Sequence, residues 1–109
     1  MNGMNFELNT NGIRITKKLR AHVENRLRFA LSKFGDRIRK VSVVLTDVNG
    51  PKGGEDTLCR LHADLEFGGT LSISELKESP YIAVDLASKR ASYRIAQKLQ
   101  KLRKREKGQ

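Results

Sequence analysis

The sequence predicts an α+β fold with the order β-α-β-β-β-α, in which two helices pack on one face of a four-stranded mixed sheet. Three observations predict it. Apolar residues recur at helical spacing in two long segments, and they alternate with polar residues in four short ones. The chain has 109 residues, of which 38% are hydrophobic, which suits one core and one domain. We assign residues 1–104 to this domain and residues 105–109 to a frayed basic tail.

The amino-terminal third contains a strand and a helix. Residues 4–8 alternate apolar and polar side chains and precede a run of turn-forming residues, which predicts a short first strand. Thr16 is a suitable N-cap for a helix over residues 17–34, and Gly35 is a suitable stop because it accepts left-handed backbone angles. The stripe expected to face the core consists of Leu19, Val23, Leu27, Ala30 and Phe34.

Three strands follow the first helix. From Ile38 the apolar period becomes two, and residues 48–56 are rich in Gly, Pro and Asn, so a strand is followed by a loop. Residues 59–67 form the clearest amphipathic strand, and a glycine pair makes a hairpin turn to a last strand at residues 70–74. The 48–56 loop is either a mobile finger that touches RNA or protein or a plain connection, and it lacks the pattern of a nucleotide-binding phosphate loop.

The second helix is the longest predicted element. Ser79 suits its N-cap and Pro80 its first position, and the helical spacing continues to about Lys104. The inward stripe has small residues in its middle, so we expect another element to approach closely there. This stripe consists of Val84, Ala87, Ser88, Ala91, Ile95, Leu99 and Leu102.

The net charge of +10, from 22 basic and 12 acidic residues, is concentrated in two segments. Residues 14–40 carry +8, residues 81–109 carry +7, and the rest of the chain carries −5. A β-α-β crossover is right-handed and the antiparallel strands extend the same sheet, so both helices should cover one face. The two basic segments should therefore form one surface suited to a polyanion such as RNA.

The candidate RNA-binding residues are the basic side chains that lie away from the inward helix stripes, together with one tyrosine. They are Lys17, Lys18, Arg26, Arg28, Lys33, Lys89, Arg90, Tyr93, Arg94, Lys98 and Lys101. An ordinary solvated helix face is the alternative, but an excess of this size repels itself unless an anionic partner is present. Tyr93 and Phe29 either stack on unpaired bases or pack against neighbouring helix turns.

The sequence predicts no enzyme. His22 and His62 could serve a ribonuclease as acid and base only if they were close, and strand alternation places them on opposite sides of the sheet. Cys59 lies on the inward phase of its strand and is expected in the core. We expect no catalytic residue, no metal and no cofactor. The absence of a long apolar run and of an export signal, with a single cysteine, indicates a cytoplasmic protein without a membrane span.

Three segments carry a resemblance to a known family: ITKKLRAHVENRLRFALSKFGDRI, DVNGPKGG and SPYIAVDLASKRASYRIAQKL. Together they resemble the ribosome hibernation-promoting factors and ribosome-associated inhibitors over about residues 6–99. Tyr81, Ala83, Val84 and Asp85 match the Tyr-x-Ala-hydrophobic-Asp segment that starts the second helix in that family. The chain resembles the short form, because it lacks the ribosome-dimerising domain of long members, and it lacks the longer tail of ribosome-associated inhibitors, which favours the hibernation-promoting type.

The resemblance implies an inhibitor of translation that binds the small ribosomal subunit. The family binds in the channel shared by messenger RNA and transfer RNA, where helical Lys and Arg would face ribosomal RNA. We therefore expect a protein, monomeric when free, that occupies this channel when growth slows; whether it also promotes ribosome dimers stays open. Two rival functions are a general double-stranded RNA-binding module and a regulator that binds an acidic protein partner.

Overall fold

The element order of the protein is the predicted one. The structure, a computed structural model, describes residues 5–49 and 56–107. The elements are β1 (Phe6–Asn11), α1 (Lys17–Leu31), a 3₁₀ helix (Ser32–Arg37), β2 (Ile38–Asp47), β3 (Thr57–Leu65), β4 (Thr70–Lys77) and α2 (Pro80–Lys107). The strands form one sheet in the order β1-β2-β3-β4, with β1 parallel to β2 and the other neighbours antiparallel. The α+β fold with a mixed four-stranded sheet is confirmed.

One hydrophobic core lies between the sheet and the two helices. Val41, Val43 and Leu45 of β2 are completely buried, and they alternate with partly exposed neighbours, as a sheet covered on one side requires. The helix stripes enter the same cluster of buried residues, for example through Val23 of α1 and Ile95 of α2. Both helices therefore lie on one face of the sheet, as predicted.

Helix α1 begins where the sequence indicated but ends earlier. The Thr16 hydroxyl accepts a hydrogen bond from the Leu19 amide at 3.0 Å, which confirms the N-cap. The α-helix ends at Leu31, not at residue 34, and continues as 3₁₀ turns that are interrupted by a kink at Gly35, whose φ of 54° is non-helical. Leu31, which the predicted stripe omitted, is buried in the core. The tighter 3₁₀ turns satisfy the helix end and redirect the chain into β2.

Three of the four strands have boundaries that differ from the prediction. Strand β1 runs to Asn11 because its polar residues pair in parallel with β2, up to Asn11 beside Thr46, so the expected turn there was wrong. Strand β3 ends at Leu65, where the Leu65 amide donates to the Gly69 carbonyl at 3.1 Å and closes the hairpin. Strand β4 continues to Lys77 because it pairs with the whole of β3. Most of the predicted 48–56 loop lies outside the described residues.

Helix α2 confirms its predicted start and extends past its predicted end. The Ser79 hydroxyl accepts from the Tyr81 amide at 3.0 Å, which caps the first turn. The helix continues to Lys107, three residues beyond the expected end, so the start of the predicted tail is helical. Its inward stripe is buried except for Leu102, which is partly buried, and it also includes Ala83. Neither α-helix, over the residues described, is long and apolar enough to span a membrane.

Candidate nucleic-acid interface

The two helices carry most of the positive charge. Helix α1 has five basic residues and one acidic residue, and α2 has nine and two, for a net charge of +11. The two basic segments together carry +15, which is the sum of +8 and +7. The helices carry less, because the first segment also includes basic residues outside α1. Two of these, Arg39 and Lys40, lie on β2, where Lys40 pairs with Glu7 of β1 at 3.2 Å.

All eleven predicted RNA-binding residues lie on the helices or on the 3₁₀ helix, and all but Lys98 are exposed. Two of them form ion pairs with carboxylates among the described residues. Arg26 pairs with Asp85 at 3.2 Å, and Arg90 pairs with Glu75 at 2.7 Å. Among the described residues, the other predicted cations make no ion pair with a carboxylate. Their charge is therefore available to an external anion.

The predicted cations of α2 occupy two sides of the helix. Arg90 points toward β4, since its Nη1 donates to the Ser74 carbonyl at 3.0 Å as well as to Glu75. Arg94 and Lys101 follow Arg90 by four and eleven residues, which are spacings of whole helical turns, so they lie on that same side. Lys89, one residue before Arg90, is turned by about 100°. The predicted cations of α2 are therefore spread across the exposed surface of this helix.

A series of side-chain contacts joins α1 to the first turns of α2. The Asp85 carboxylate oxygen Oδ1 forms an ion pair with the Arg26 Nε at 3.2 Å and lies 2.7 Å from the His22 Nε2. The His22 ring packs edge-on against Tyr81, with 4.9 Å between ring centroids, and the Lys18 ammonium lies 5.7 Å from the Tyr81 ring centroid. Tyr81 and Asp85, two residues of the family segment, thus fix the position of α1 relative to α2.

Two aromatic residues are exposed beside this charge. The exposed fractions are 80% for Phe29 and 66% for Tyr93. Most of each ring is therefore available to a ligand, although Phe29 does contact a neighbouring helix turn. The Arg26 guanidinium lies 5.6 Å from the Phe29 ring centroid. The sequence indicates Phe29 as a candidate, but only the distance between the two side chains identifies Arg26 as its neighbour.

The two histidines lie on opposite sides of the sheet, as expected. His22 is on α1, whereas His62 lies on the open sheet face, 3.2 Å from the Ser72 hydroxyl and 3.3 Å from the Asp64 carboxylate. They cannot act on one phosphate. Within residues 5–49 and 56–107, no group of His, Cys, Asp and Glu side chains is arranged to hold a metal ion.

Cys59 belongs to the core, as predicted. Its side chain is completely buried. Burial, and to a lesser extent the charge of Glu75, raise the pKa of the thiol to about 12. The thiol therefore stays protonated at neutral pH and is a poor nucleophile.

The fold and the sequence together match one protein family. Residues 6–105 match the family described as "Sigma 54 modulation protein / S30EA ribosomal protein". The chain belongs to this family. The match covers β1 through nearly all of α2, and it confirms the resemblance to the hibernation-promoting factors.

Two solved structures illustrate the likeness. The N-terminal domain of Protein Y from Thermus thermophilus is 26% identical, with a TM-score of 0.70, over 84% of this chain and 96% of that one. A ribosomal subunit interface protein from Coxiella burnetii is 16% identical, with a TM-score of 0.74, over 89% of this chain and 99% of that one. The second similarity shows the fold alone. No curated protein is significantly similar to the chain in sequence.

Proposed function

We propose that the protein binds the small ribosomal subunit through its helical face and inhibits translation by occupying the channel of messenger RNA and transfer RNA. Membership in a family of ribosome-associated proteins supports the ribosome as the partner. The observation that carries the proposal is the charge of the helices. They have a net charge of +11, and most of the predicted cations have no carboxylate partner among the described residues.

The proposed mechanism is occupancy without chemistry. Exposed Lys and Arg side chains neutralise RNA phosphates and release condensed counterions, so binding is strong at low salt and weakens steeply as salt increases. A bound domain of this size excludes other ligands from the surface that it covers. Messenger RNA and transfer RNA should therefore compete with the protein for the subunit.

Co-sedimentation with purified small subunits tests this proposal. We expect the protein to migrate with the subunit at low salt, to dissociate at high salt, and to be displaced by messenger RNA with cognate transfer RNA. Duplex RNA of unrelated sequence should compete poorly; equal competition would favour a general double-stranded RNA-binding module. Absence of co-migration at low salt would refute the proposal.

A protein partner is the second candidate, because the family description also names sigma 54 modulation. The basic helical face could equally bind an acidic protein surface. A pull-down from nuclease-treated lysate separates the two, because a protein partner remains bound after the RNA is removed. Under our proposal, ribosomal components are the main captured material and nuclease treatment removes them.

A further inference from the structure

Phe29 is a large apolar side chain that is exposed and has no role in the core. It lies near the carboxyl end of α1, beside Arg28 and one turn from Arg26 and Lys33. Among the described residues it is the most exposed large apolar side chain, at 80%. The helix does not need it for packing, since the core stripe of α1 is filled by Leu19, Val23, Leu27 and Leu31. Its ring is therefore free to bind a partner.

Arg26 lies beside this ring on α1, and a carboxylate of α2 holds it there. Asp85 of α2 forms an ion pair with the Arg26 Nε at 3.2 Å and also lies 2.7 Å from His22 Nε2. This anchorage restrains the guanidinium, whose carbon lies 5.6 Å from the Phe29 ring centroid. Binding a ligand then costs less side-chain entropy than ordering a free arginine would.

We propose that Phe29 and Arg26 form a stacking site for an unpaired RNA base, and that Asp85 positions Arg26 in it. An aromatic ring and a guanidinium plane are the two groups on which proteins stack unpaired bases. The site takes a single-stranded or flipped-out nucleotide, because the bases of a duplex are already stacked on one another. The exposed Arg28 and Lys33 lie close along the chain, where they can neutralise the adjoining phosphates.

The charge around Phe29 favours RNA over an apolar protein surface. Lys33, Arg26 and Arg28 all lie within four residues of Phe29, and burying them against apolar side chains would remove their hydration without compensation. A nucleotide offers both a π face for the ring and a phosphate for the cations. This inference rests on the proposed RNA-binding function and adds the type of nucleotide that the site takes.

Substitutions of Phe29 separate stacking from general hydrophobic contact. The probe is a short single-stranded oligoribonucleotide with one fluorescent adenine analogue, whose emission is quenched when the analogue stacks. The unaltered protein should quench it. Phe29→Leu should weaken binding roughly 5- to 100-fold, since one stacked base contributes about 1–3 kcal/mol. Phe29→Trp should bind and quench as well as the unaltered protein. Since the side chain is exposed, circular dichroism should show all variants folded.

A strand with an abasic site in place of the analogue is the control. We expect it to bind the unaltered protein and Phe29→Leu equally. If Phe29→Leu binds the complete strand as tightly as the unaltered protein while Phe29→Ala binds weakly, the contact is merely apolar and the stacking site is refuted. Co-sedimentation of the unaltered protein with the small subunit distinguishes the two proposals. If the protein binds the subunit but does not quench the fluorescent strand, only the stacking site is overturned. If it does not bind the subunit, the proposed function is overturned.

Discussion

The helices and the strands of this protein differ sharply in charge. The four strands carry four basic and four acidic residues and are neutral. The two helices carry fourteen basic and three acidic residues. Because both helices lie on one side of the sheet, the protein has one strongly positive face and one nearly neutral face. The fold therefore gathers the charge excess of the chain on the face that the helices cover.

The largest expected effect comes from reversing charge on the positive face. Arg94→Glu combined with Lys101→Glu should lower affinity for the small subunit roughly a hundredfold at low salt and reduce the slope of log affinity against log salt by about 2. Both side chains are exposed, and neither forms an ion pair among the described residues. Arg90 is a less suitable choice, because its removal would leave the largely buried Glu75 without its partner.

The matched control is a charge reversal on the open face of the sheet, compared with a single charge reversal on the helical face. Arg60 is exposed on the open sheet face, so Arg60→Glu should change affinity by less than the single variant Arg94→Glu, although both change the charge by the same amount. Filter binding with labelled protein at several salt concentrations measures both. If Arg60→Glu and Arg94→Glu weaken binding equally, net charge governs the interaction and the face does not.

The next effect concerns the packing that joins the helices to the sheet. Ala91 is completely buried in the small-residue stripe of α2, so Ala91→Leu should overpack the core and lower the free energy of unfolding by about 2 kcal/mol. Ala96→Leu makes the same change at an exposed position of the same helix and should leave stability nearly unchanged. Urea denaturation followed by circular dichroism measures both. Equal stability of the two variants would show that α2 does not pack as described.

A smaller effect is expected at the joint between the helices. Asp85→Ala removes the carboxylate that contacts both Arg26 and His22, and should lower the free energy of unfolding by about 1 kcal/mol, since all three side chains are partly exposed. It should also release Arg26 and weaken quenching of the fluorescent strand. Glu24→Ala on α1 also removes one negative charge and is the control. Reduced quenching in both variants would argue against a positioning role for Asp85.

The sequence predicts the core well because the core depends on local periodicity. The alternation of Val41, Val43 and Leu45 and the spacing of Val23 and Leu27 repeat the geometry of strand and helix directly. Helix capping by Thr16 is equally local, and the structure confirms it. These features need no knowledge of distant contacts.

The remaining features depend on contacts between distant parts of the chain. Asn11 reads as a turn residue but pairs with Thr46 of β2, so strand pairing overrides local preference. His22 and Asp85 are 63 positions apart, and no local pattern predicts that they meet. A usable signal did exist: Asp85 is the sole acidic residue in the first turns of a strongly basic helix, which indicates a specific partner.

The smallest effect concerns Cys59, which lies in the core between the two faces. Its thiol pKa is about 12 in the folded protein and 9.0 in an ordinary environment. Because the folded value is the higher one, the contribution of this proton is complete below pH 9 and is lost as pH rises toward 12. The loss should be about 0.4 kcal/mol near pH 9 and larger above it. In Cys59→Ala this loss is absent, so the stability gap between parent and variant should shrink by about 0.4 kcal/mol from pH 7 to pH 9 in urea titrations. A constant gap would mean that the thiol ionises equally in both states and that the sheet is less completely covered by the helices than its burial indicates.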